Sequence, residues 1–241
     1  MCVAAIAWLA HPRWKLVAIG NRDEFHGRRT APLAEWDNGI VAGRDLEAGG
    51  TWLGVHPASR FALVTNLRAE GFPKPGMASR GALVTDWLLG LSLGELAAMN
   101  PFNLFVAGPD GAELLTNHPA PQRQPLAPGI HGLSNGSFAD RWYKTLRLEA
   151  ALAEWLVAGN ADPAPLFAAL SDRTLAPDPP DAEFSSVFIA NPGYGTRCST
   201  VVLVDELGEG TIIERSFDPD GAATGERILR FSWPGSKPRS S

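Results

Sequence analysis

The second residue of the chain is Cys2, and the polar run Asn21-Arg22-Asp23-Glu24 follows soon after it. If Met1 is removed, Cys2 carries a thiol and a free α-amine, so that a nucleophile and its general base lie on one residue. Their unperturbed pKa values, about 8.5 and about 7.7–8.0, are close to neutral pH. An N-terminal amine that activates its own side chain is an established route to covalent catalysis. The alternative is a small buried apolar residue at the start of a strand.

Polar residues at the ends of apolar segments supply the other groups that such a nucleophile needs. Asp23 would hold the α-ammonium and set its pKa, and Arg22 would favour the thiolate through its charge. The amides of Asn66 and Asn135 would donate hydrogen bonds to the oxyanion of a tetrahedral intermediate. Arg197 would stabilise developing charge or bind a substrate carboxylate with two parallel hydrogen bonds. Together with the cysteine, these residues form the predicted catalytic group.

Three further residues are predicted to line the substrate pocket. Asn21 and Glu24 flank the Arg-Asp pair, and Trp52 lies in Gly49-Gly-Thr-Trp-Leu-Gly54, a segment typical of a tight turn into a strand. The indole of Trp52 would either line an apolar pocket or fill the core.

Each polar assignment has a structural alternative. The run Asn21–Glu24 is also consistent with a surface turn held by local ion pairs. Asn66 and Asn135 are consistent with Asx turns, in which the side chain bonds to nearby backbone. Arg197 is consistent with an ion pair to Asp205 or to the glutamate of the polar run.

Composition and charge exclude several classes of protein. The net charge is −5 with a pI near 5.5, and no Lys/Arg run is long enough for a nucleic-acid footprint. No segment approaches the roughly 18 apolar residues of a membrane span, and the opening segment lacks the basic start of a signal peptide. Two cysteines do not make a disulfide framework, and no metal-ligand spacing is present. We therefore expect a cytoplasmic protein without a metal and without a nucleic-acid partner.

Hydrophobic patterning predicts strands, then helices, then strands again. Strands over 2–9 and 16–21 would pair as a hairpin around His11-Pro12-Arg13, which places Cys2 beside residues 21–23. Helices are expected at 79–89, 140–157 and 163–170, and a capping box at Ser92-x-x-Glu95 would start another. Further strands are expected at 51–56, 61–66, 102–107, 113–116, 185–190, 199–205, 211–217 and 227–233. We predict an α+β fold, mainly antiparallel, with one domain over 1–233, a loop at 176–181 and a flexible tail at 234–241.

The order of several motifs along the chain resembles one known family. The motifs are Met1-Cys2, Asn21-Arg22-Asp23-Glu24-Phe25, Gly49-Gly-Thr-Trp-Leu-Gly54, Thr65-Asn66, Ser79-Arg-Gly-Ala-Leu-Val84, Gly132-Leu-Ser-Asn135 and Gly193-Tyr-Gly-Thr-Arg197. They resemble the NRDE family, also called the transport and Golgi organisation protein 2 family, over roughly residues 1 to 233. The resemblance implies a four-layer α-β-β-α sandwich of the N-terminal-nucleophile hydrolase type.

The resemblance also implies roles for individual residues. Penicillin V acylase and the bile salt hydrolases share this fold and cleave amides with an N-terminal cysteine, which Cys2 matches. Arg22 and Asp23 resemble their Arg and Asp near the second strand, although here the two are adjacent. Asn135 resembles their oxyanion asparagine, whereas Asn66 and Arg197 match less closely. Members of the NRDE family are discussed as haem-trafficking proteins and as factors in lipid or membrane homeostasis.

Two functions of different classes follow. In the first, Cys2 attacks a linear amide in a small molecule and water releases the acid, with no cofactor required. In the second, the chain binds and moves haem or a lipidic acyl ligand without chemistry, which predicts an apolar cleft lined with aromatic residues. Haem would need an axial ligand, and Cys2 is one candidate. The other candidate ligands are His26, His131, Tyr143 and Tyr194.

Overall fold

The structure is a computed structural model that describes residues 2–140, 142–159, 161–177 and 184–234. Within these ranges the strands are β1 (Val3–His11), β2 (Trp14–Phe25), β3 (Thr30–Glu35), β4 (Val41–Asp45), β5 (Leu53–His56), β6 (Arg60–Asn66), β7 (Phe102–Gly108), β8 (Gly111–Thr116), β9 (Gln122–Leu126), β10 (Gly129–Leu133), β11 (Ala190–Asn191), β12 (Tyr194–Asp205), β13 (Glu209–Phe217) and β14 (Ala223–Ser232). The helices are α1 (Gly81–Leu89), α2 (Tyr143–Ala158) and α3 (Ala164–Leu170), with a 3₁₀ turn at Leu96–Ala98.

The strands form two antiparallel sheets. The first has the order β10-β1-β2-β12-β13-β14, with the short β11 beside β12, and the second runs from β3 to β9 in chain order. Consecutive strands joined by short connections pair antiparallel, as the sequence predicts. The predicted α+β class with mainly antiparallel sheets is confirmed.

Side-chain alternation along β1 divides the core into layers. One set of its residues packs between the two sheets, and the other set packs against α2 and α3 on the outer face of the first sheet. Helix α1 covers the outer face of the second sheet, where Leu83, Val84 and Leu88 are buried. The predicted four-layer α-β-β-α sandwich is therefore confirmed. No helix within the described ranges is long and apolar enough to cross a membrane.

The predicted hairpin of the first two strands is confirmed. Val3 pairs with Asn21, so Cys2 lies one step further on, beside Arg22. On its other side β2 pairs with β12, where Cys198 is opposite Arg22. A β-bulge separates Thr196 from Cys198, and it leaves the residue between them out of the ladder. This end of the first sheet therefore gathers several of the predicted site residues.

Other local predictions were wrong. Ser92 and Glu95 do not form a capping box: Glu95 is extended, has no side-chain cap bond and precedes only the 3₁₀ turn. The strand expected at 185–190 is confined to the two residues of β11. Strands β3, β4, β9 and β10 are not among the predicted strands. The expected loop at 176–181 and the expected tail at 234–241 fall largely outside the described residues, which omit 178–183 and 235–241.

Candidate active site

A cavity of about 760 Å³ opens at the end of the sandwich where residues of both sheets come together. Its walls come from the ends of β2, β12 and β13, from β3 and β4, and from the start of α1. Seven of the residues predicted from the sequence line it: Cys2, Arg22, Asp23, Glu24, Trp52, Asn66 and Arg197. Asn21 and Asn135 do not line it.

Cys2 is buried on the cavity wall, with 8% of its surface exposed. Burial raises the pKa of its thiol, and the negative charge of Asp23 acts in the same direction. A hydrogen bond from the Asp23 backbone amide and the charge of Arg22 oppose this shift. Ser134 Oγ donates to the Cys2 carbonyl at 3.2 Å and so fixes the backbone behind the thiol. A raised pKa favours the protonated thiol, so attack on a substrate would require a base.

Asp23 is the first acidic residue in the sequence, and it lines the cavity together with Cys2. Its Oδ1 accepts a hydrogen bond from Thr196 Oγ1 at 2.7 Å, and its carbonyl accepts one from the Tyr194 hydroxyl at 2.9 Å. Burial raises the pKa of the Asp23 carboxyl, while Lys144, the Thr196 hydroxyl and Arg22 act to lower it. Asp23 is therefore held rigidly, in an orientation fixed from β12.

Arg22 lies in a network of charges at the cavity wall. Its Nη2 is 3.3 Å from Asp45 Oδ2 and 3.8 Å from Glu24 Oε2. Arg28 contacts the same two carboxylates, at 2.7 Å and 3.8 Å. Nη1 of Arg22 is buried and has no hydrogen-bond partner. Carboxylates thus hold the Nη2 side of the guanidinium, and the Nη1 side has N–H groups that donate to no acceptor among the residues that the structure describes.

Trp52 packs across the space between the sheets against Gly20 of β2, where the missing side chain leaves room for the indole. A Cβ atom on Gly20 would lie 2.8 Å from the Val3 carbonyl oxygen and 3.1 Å from Cη2 of Trp52. The indole therefore packs directly over the hairpin beside Cys2, where it is both core and cavity wall.

The prediction that Asn21 lines the pocket differs from the structure. Asn21 Nδ2 donates to the carbonyls of Leu170 at 2.8 Å and Val187 at 2.9 Å, and its Oδ1 accepts from Ser199 Oγ at 2.6 Å. Successive residues of a strand face opposite sides of a sheet, so Asn21 faces the helices when Arg22 faces the cavity. Its role is to tie β2 to α3, to β12 and to the segment before β11.

Replacement of Asn21 with alanine should lower the free energy of unfolding by about 2–4 kcal/mol, because two carbonyls and a hydroxyl lose their buried partner. Urea denaturation of the purified variant measures this. The matched control is Asn38→Ala, at an exposed turn where Oδ1 accepts one bond from the Ile40 amide at 3.3 Å, and it should lower stability by about 1 kcal/mol or less. Equal effects of the two substitutions would contradict the assigned role.

Asn135 is fully buried behind Asn66 rather than in the cavity wall. Its Nδ2 donates to the Asn66 carbonyl at 2.8 Å, and its own carbonyl accepts from the Arg68 amide at 2.7 Å. Thr65 Oγ1 donates to the Ser134 carbonyl at 2.6 Å. The Thr-Asn and Ser-Asn motifs therefore join the two sheets next to Cys2. In this arrangement Asn135 holds the backbone of Asn66, which lines the cavity.

Arg197 is the residue left out of the ladder at the β12 bulge, and its side chain turns toward the loop after β2. Its Nη1 donates to the carbonyls of Phe25, His26 and Arg28 at 3.1, 2.9 and 3.3 Å. These bonds hold the loop that carries Arg28. The structural alternative is an ion pair with Asp205 or Glu24. In the structure the guanidinium of Arg197 bonds to these three carbonyls instead.

A buried lysine beside the site escaped prediction from the sequence. Lys144, in the first turn of α2, is 1% exposed, and its Nζ has no hydrogen-bond partner. Burial lowers the pKa of its ammonium, whereas the charges of Asp23 and Cys2 act to raise it, and Arg68 lowers it. The only signal in the sequence is a cation at a helix N-terminus, where the helix dipole disfavours it.

Lys144→Met should slow alkylation of Cys2 at pH 7 by about 3- to 10-fold, because loss of a nearby positive charge raises the thiol pKa and lowers the thiolate fraction. Burial lowers the pKa of Lys144 in the folded state. The contribution of Lys144 to wild-type stability is therefore fully present above the pKa of the unfolded state, and it is lost as pH falls through the folded-state pKa. The variant should lack this pH dependence. The measurements are iodoacetamide labelling and urea denaturation across pH, with the exposed Lys74→Met as control. Unchanged labelling would contradict the assignment.

Comparison with known proteins identifies the family. A family model described as Transport and Golgi organisation 2 matches residues 1–219. The Transport and Golgi organization protein 2 homologs of Bos taurus and Homo sapiens are 32% and 31% identical, over 84% and 91% of this chain and 87% and 93% of their own. The C2A mutant of conjugated bile acid hydrolase from Clostridium perfringens superimposes with a TM-score of 0.48 at 8% identity, over 100% of both chains. On the family model and the two homologs, the chain belongs to the Transport and Golgi organisation 2 family.

Proposed function

We propose that the chain is a cysteine N-terminal-nucleophile hydrolase that cleaves a linear amide bond. The observation that carries this is the position of Cys2: its thiol lies at the wall of a polar cavity, flanked by Arg22 and Asp23, at the very start of a central strand. Burial raises the pKa of the thiol and so favours its protonated form. A base within reach is therefore needed, and removal of Met1 would create one on the same residue.

The chemistry proceeds in two halves. The α-amine takes the thiol proton as Sγ bonds to the amide carbonyl carbon, and the resulting oxyanion collapses with cleavage of the C–N bond. The α-ammonium gives its proton to the departing amine, which leaves a thioester on Cys2. A water molecule, deprotonated by the α-amine, then attacks the thioester, and the acid is released with regeneration of the thiol.

The surrounding residues act on charge and orientation. Asp23, held by Thr196, would fix the α-amine and stabilise its protonated form. Arg22 would stabilise the negative charge on sulfur and oxygen as the reaction proceeds. Asn66 would donate to the oxyanion from the cavity wall, with Asn135 behind it holding its backbone in place.

The haem or lipid-binding alternative has less support in the cavity. Arginines and carboxylates contribute much of the lining, and Trp52 and Phe217 are its aromatic members. His26 Nε2 is 3.0 Å from the Asn191 carbonyl, and His131 Nε2 is 2.9 Å from the Ala127 carbonyl. Among the candidate haem ligands, Cys2 is the one that lines the cavity.

The test is mass spectrometry of the native protein, alone and after brief incubation with a panel of N-acyl amides. The expected result is a chain without Met1, which gains the mass of an acyl group as the amine is released. A chain that retains Met1 and forms no acyl adduct, but binds haem or an acyl ligand stoichiometrically, would refute the hydrolase and favour the binding protein.

A further inference from the structure

One wall of the cavity is built by two glycine-containing segments that the catalytic group does not use. They are Gly49-Gly-Thr-Trp, before β5, and Ser79-Arg-Gly, at the start of α1. A Cβ atom on Gly50 would lie 2.6 Å from the carbonyl carbon of Gly81 and 2.7 Å from its oxygen. The two backbones therefore touch, which fixes the first turn of α1 against the cavity.

This packing places Arg80 in the wall of the cavity that Cys2 also lines. Arg80 is the N-cap residue of α1 and lines the cavity, and its Nη1 donates to the Pro101 carbonyl at 3.2 Å. Within the described ranges it has no carboxylate at ion-pair distance. Burial lowers the pKa of Arg80, while the negative charge of a Cys2 thiolate and the charge of Glu24 act to raise it. A half-buried guanidinium that faces the site without an anion is costly unless a ligand supplies one.

Two further features add positive potential at the same place. Helix α1 has no acidic residue in its first turn, so the positive end of its dipole is not neutralised from within the helix. On the other side of Cys2, Arg22 is more than nine-tenths buried, lines the same cavity and has an Nη1 without a partner. Guanidinium groups from β2 and from the N-cap of α1 therefore line the cavity together with the thiol.

The carboxylates of the cavity are already engaged by other groups, and Asp23 accepts the hydrogen bond from Thr196 Oγ1. Asp45 and Glu24 contact Arg22 and Arg28, as described above. Glu214 Oε1 accepts from the Leu33 amide at 2.7 Å, and Glu226 pairs with Arg215. Arg197, the residue predicted to bind a substrate carboxylate, has its Nη1 committed to three carbonyls. Arg80 and Arg197 are the half-buried arginines of the cavity that have no carboxylate at ion-pair distance among the described residues, and Arg80 has one carbonyl partner where Arg197 has three.

We propose that Arg80, together with the start of α1 and Arg22, forms a subsite for an anionic group of the substrate, a carboxylate or a phosphate close to the scissile amide. This rests on the hydrolase function proposed above. The substrate class is then an N-acyl amide with an acid group near the amide, such as an N-acyl amino acid, rather than a neutral amide.

Binding to a full-length Cys2→Ala variant tests the subsite without requiring hydrolysis. The probes are N-dodecanoylglycine, dodecyl phosphate and the neutral N-dodecanoylethanolamine. Isothermal titration calorimetry measures the affinity of each probe. We expect at least one anionic probe to bind at least about 10-fold more tightly than the neutral one, as for a charge-assisted contact. Arg80→Gln should remove this preference and Arg80→Lys should keep part of it. Which anion is preferred distinguishes a carboxylate from a phosphate.

The matched control is Arg123→Gln. Arg123 is an exposed arginine on β9 that pairs with Glu113 of β8, and its replacement should leave the preference for anionic probes unchanged. Equal affinity for charged and neutral probes, no binding of any probe, or a preference that survives in Arg80→Gln would each overturn the subsite. Failure of the hydrolase alone has a different pattern: the anionic preference would remain in the binding assay, and the processed wild-type chain would cleave none of the amides.

Discussion

Replacement of Cys2 with serine should abolish amide cleavage, with a loss of kcat of at least about 10⁴-fold, as expected for removal of a covalent nucleophile. A hydroxyl at this position has a far higher pKa than a thiol, and the site offers it no additional base. The exchange is nearly isosteric, so urea denaturation should show little change in stability. The measurement is the release of amine from whichever N-acyl amide forms an adduct on the wild-type chain.

The other free cysteine gives a matched control. Cys198 lies on the same cavity wall, and its pKa is raised well above the usual value by burial and by Glu214. Cys198→Ser should retain activity within about 3-fold, because the residue lies across β2 from Cys2 and has no amine of its own. Equal loss in both variants would show that a change in the cavity, rather than the nucleophile, is responsible.

The part of the site carried by local geometry was predictable from the sequence. A hairpin around His11–Arg13 has similar lengths on its two sides, and this alone brings Cys2 beside Arg22 and Asp23. Because Asn21 and Arg22 are successive residues of a strand, the sequence also predicts that they face opposite sides of the first sheet. It could not tell which side is the cavity, because that depends on where the second sheet packs.

Contacts between distant segments were not predictable. Lys144 reaches the site because α2 packs on the first sheet, and Arg80 because the start of α1 packs against Gly50. Neither of these packing contacts produces a recognisable pattern in the sequence around Lys144 or Arg80. Strand β9, which is largely exposed and polar, was missed for a related reason: it is held by backbone hydrogen bonds to β8, which hydrophobic alternation does not report. The site thus combines a predictable nucleophile with charges supplied by tertiary structure.

A chain that keeps residues in front of Cys2 should lose hydrolysis while its thiol remains. Insertion of leucine between Met1 and Cys2 would block removal of Met1, since the processing enzyme requires a small second residue. The nitrogen of Cys2 is then an amide, which is not basic, so the thiol proton has no acceptor on the same residue. Loss of a general base costs about 10²- to 10⁴-fold in rate, and the kcat for amide cleavage should fall by that amount.

The matched control is the wild-type sequence fused to a leader whose protease leaves Cys2 as the first residue. The uncut fusion should be inactive, and cleavage should restore activity together with an acid limb in the pH profile that reports the α-amine, whose unperturbed pKa is about 7.7–8.0. Because Asp23 stabilises the ammonium and Lys144 opposes it, Lys144→Met should move that limb to higher pH. Full activity of the uncut fusion would mean that the base lies elsewhere, and Lys144, buried beside Cys2 and Asp23, would then be the residue to examine.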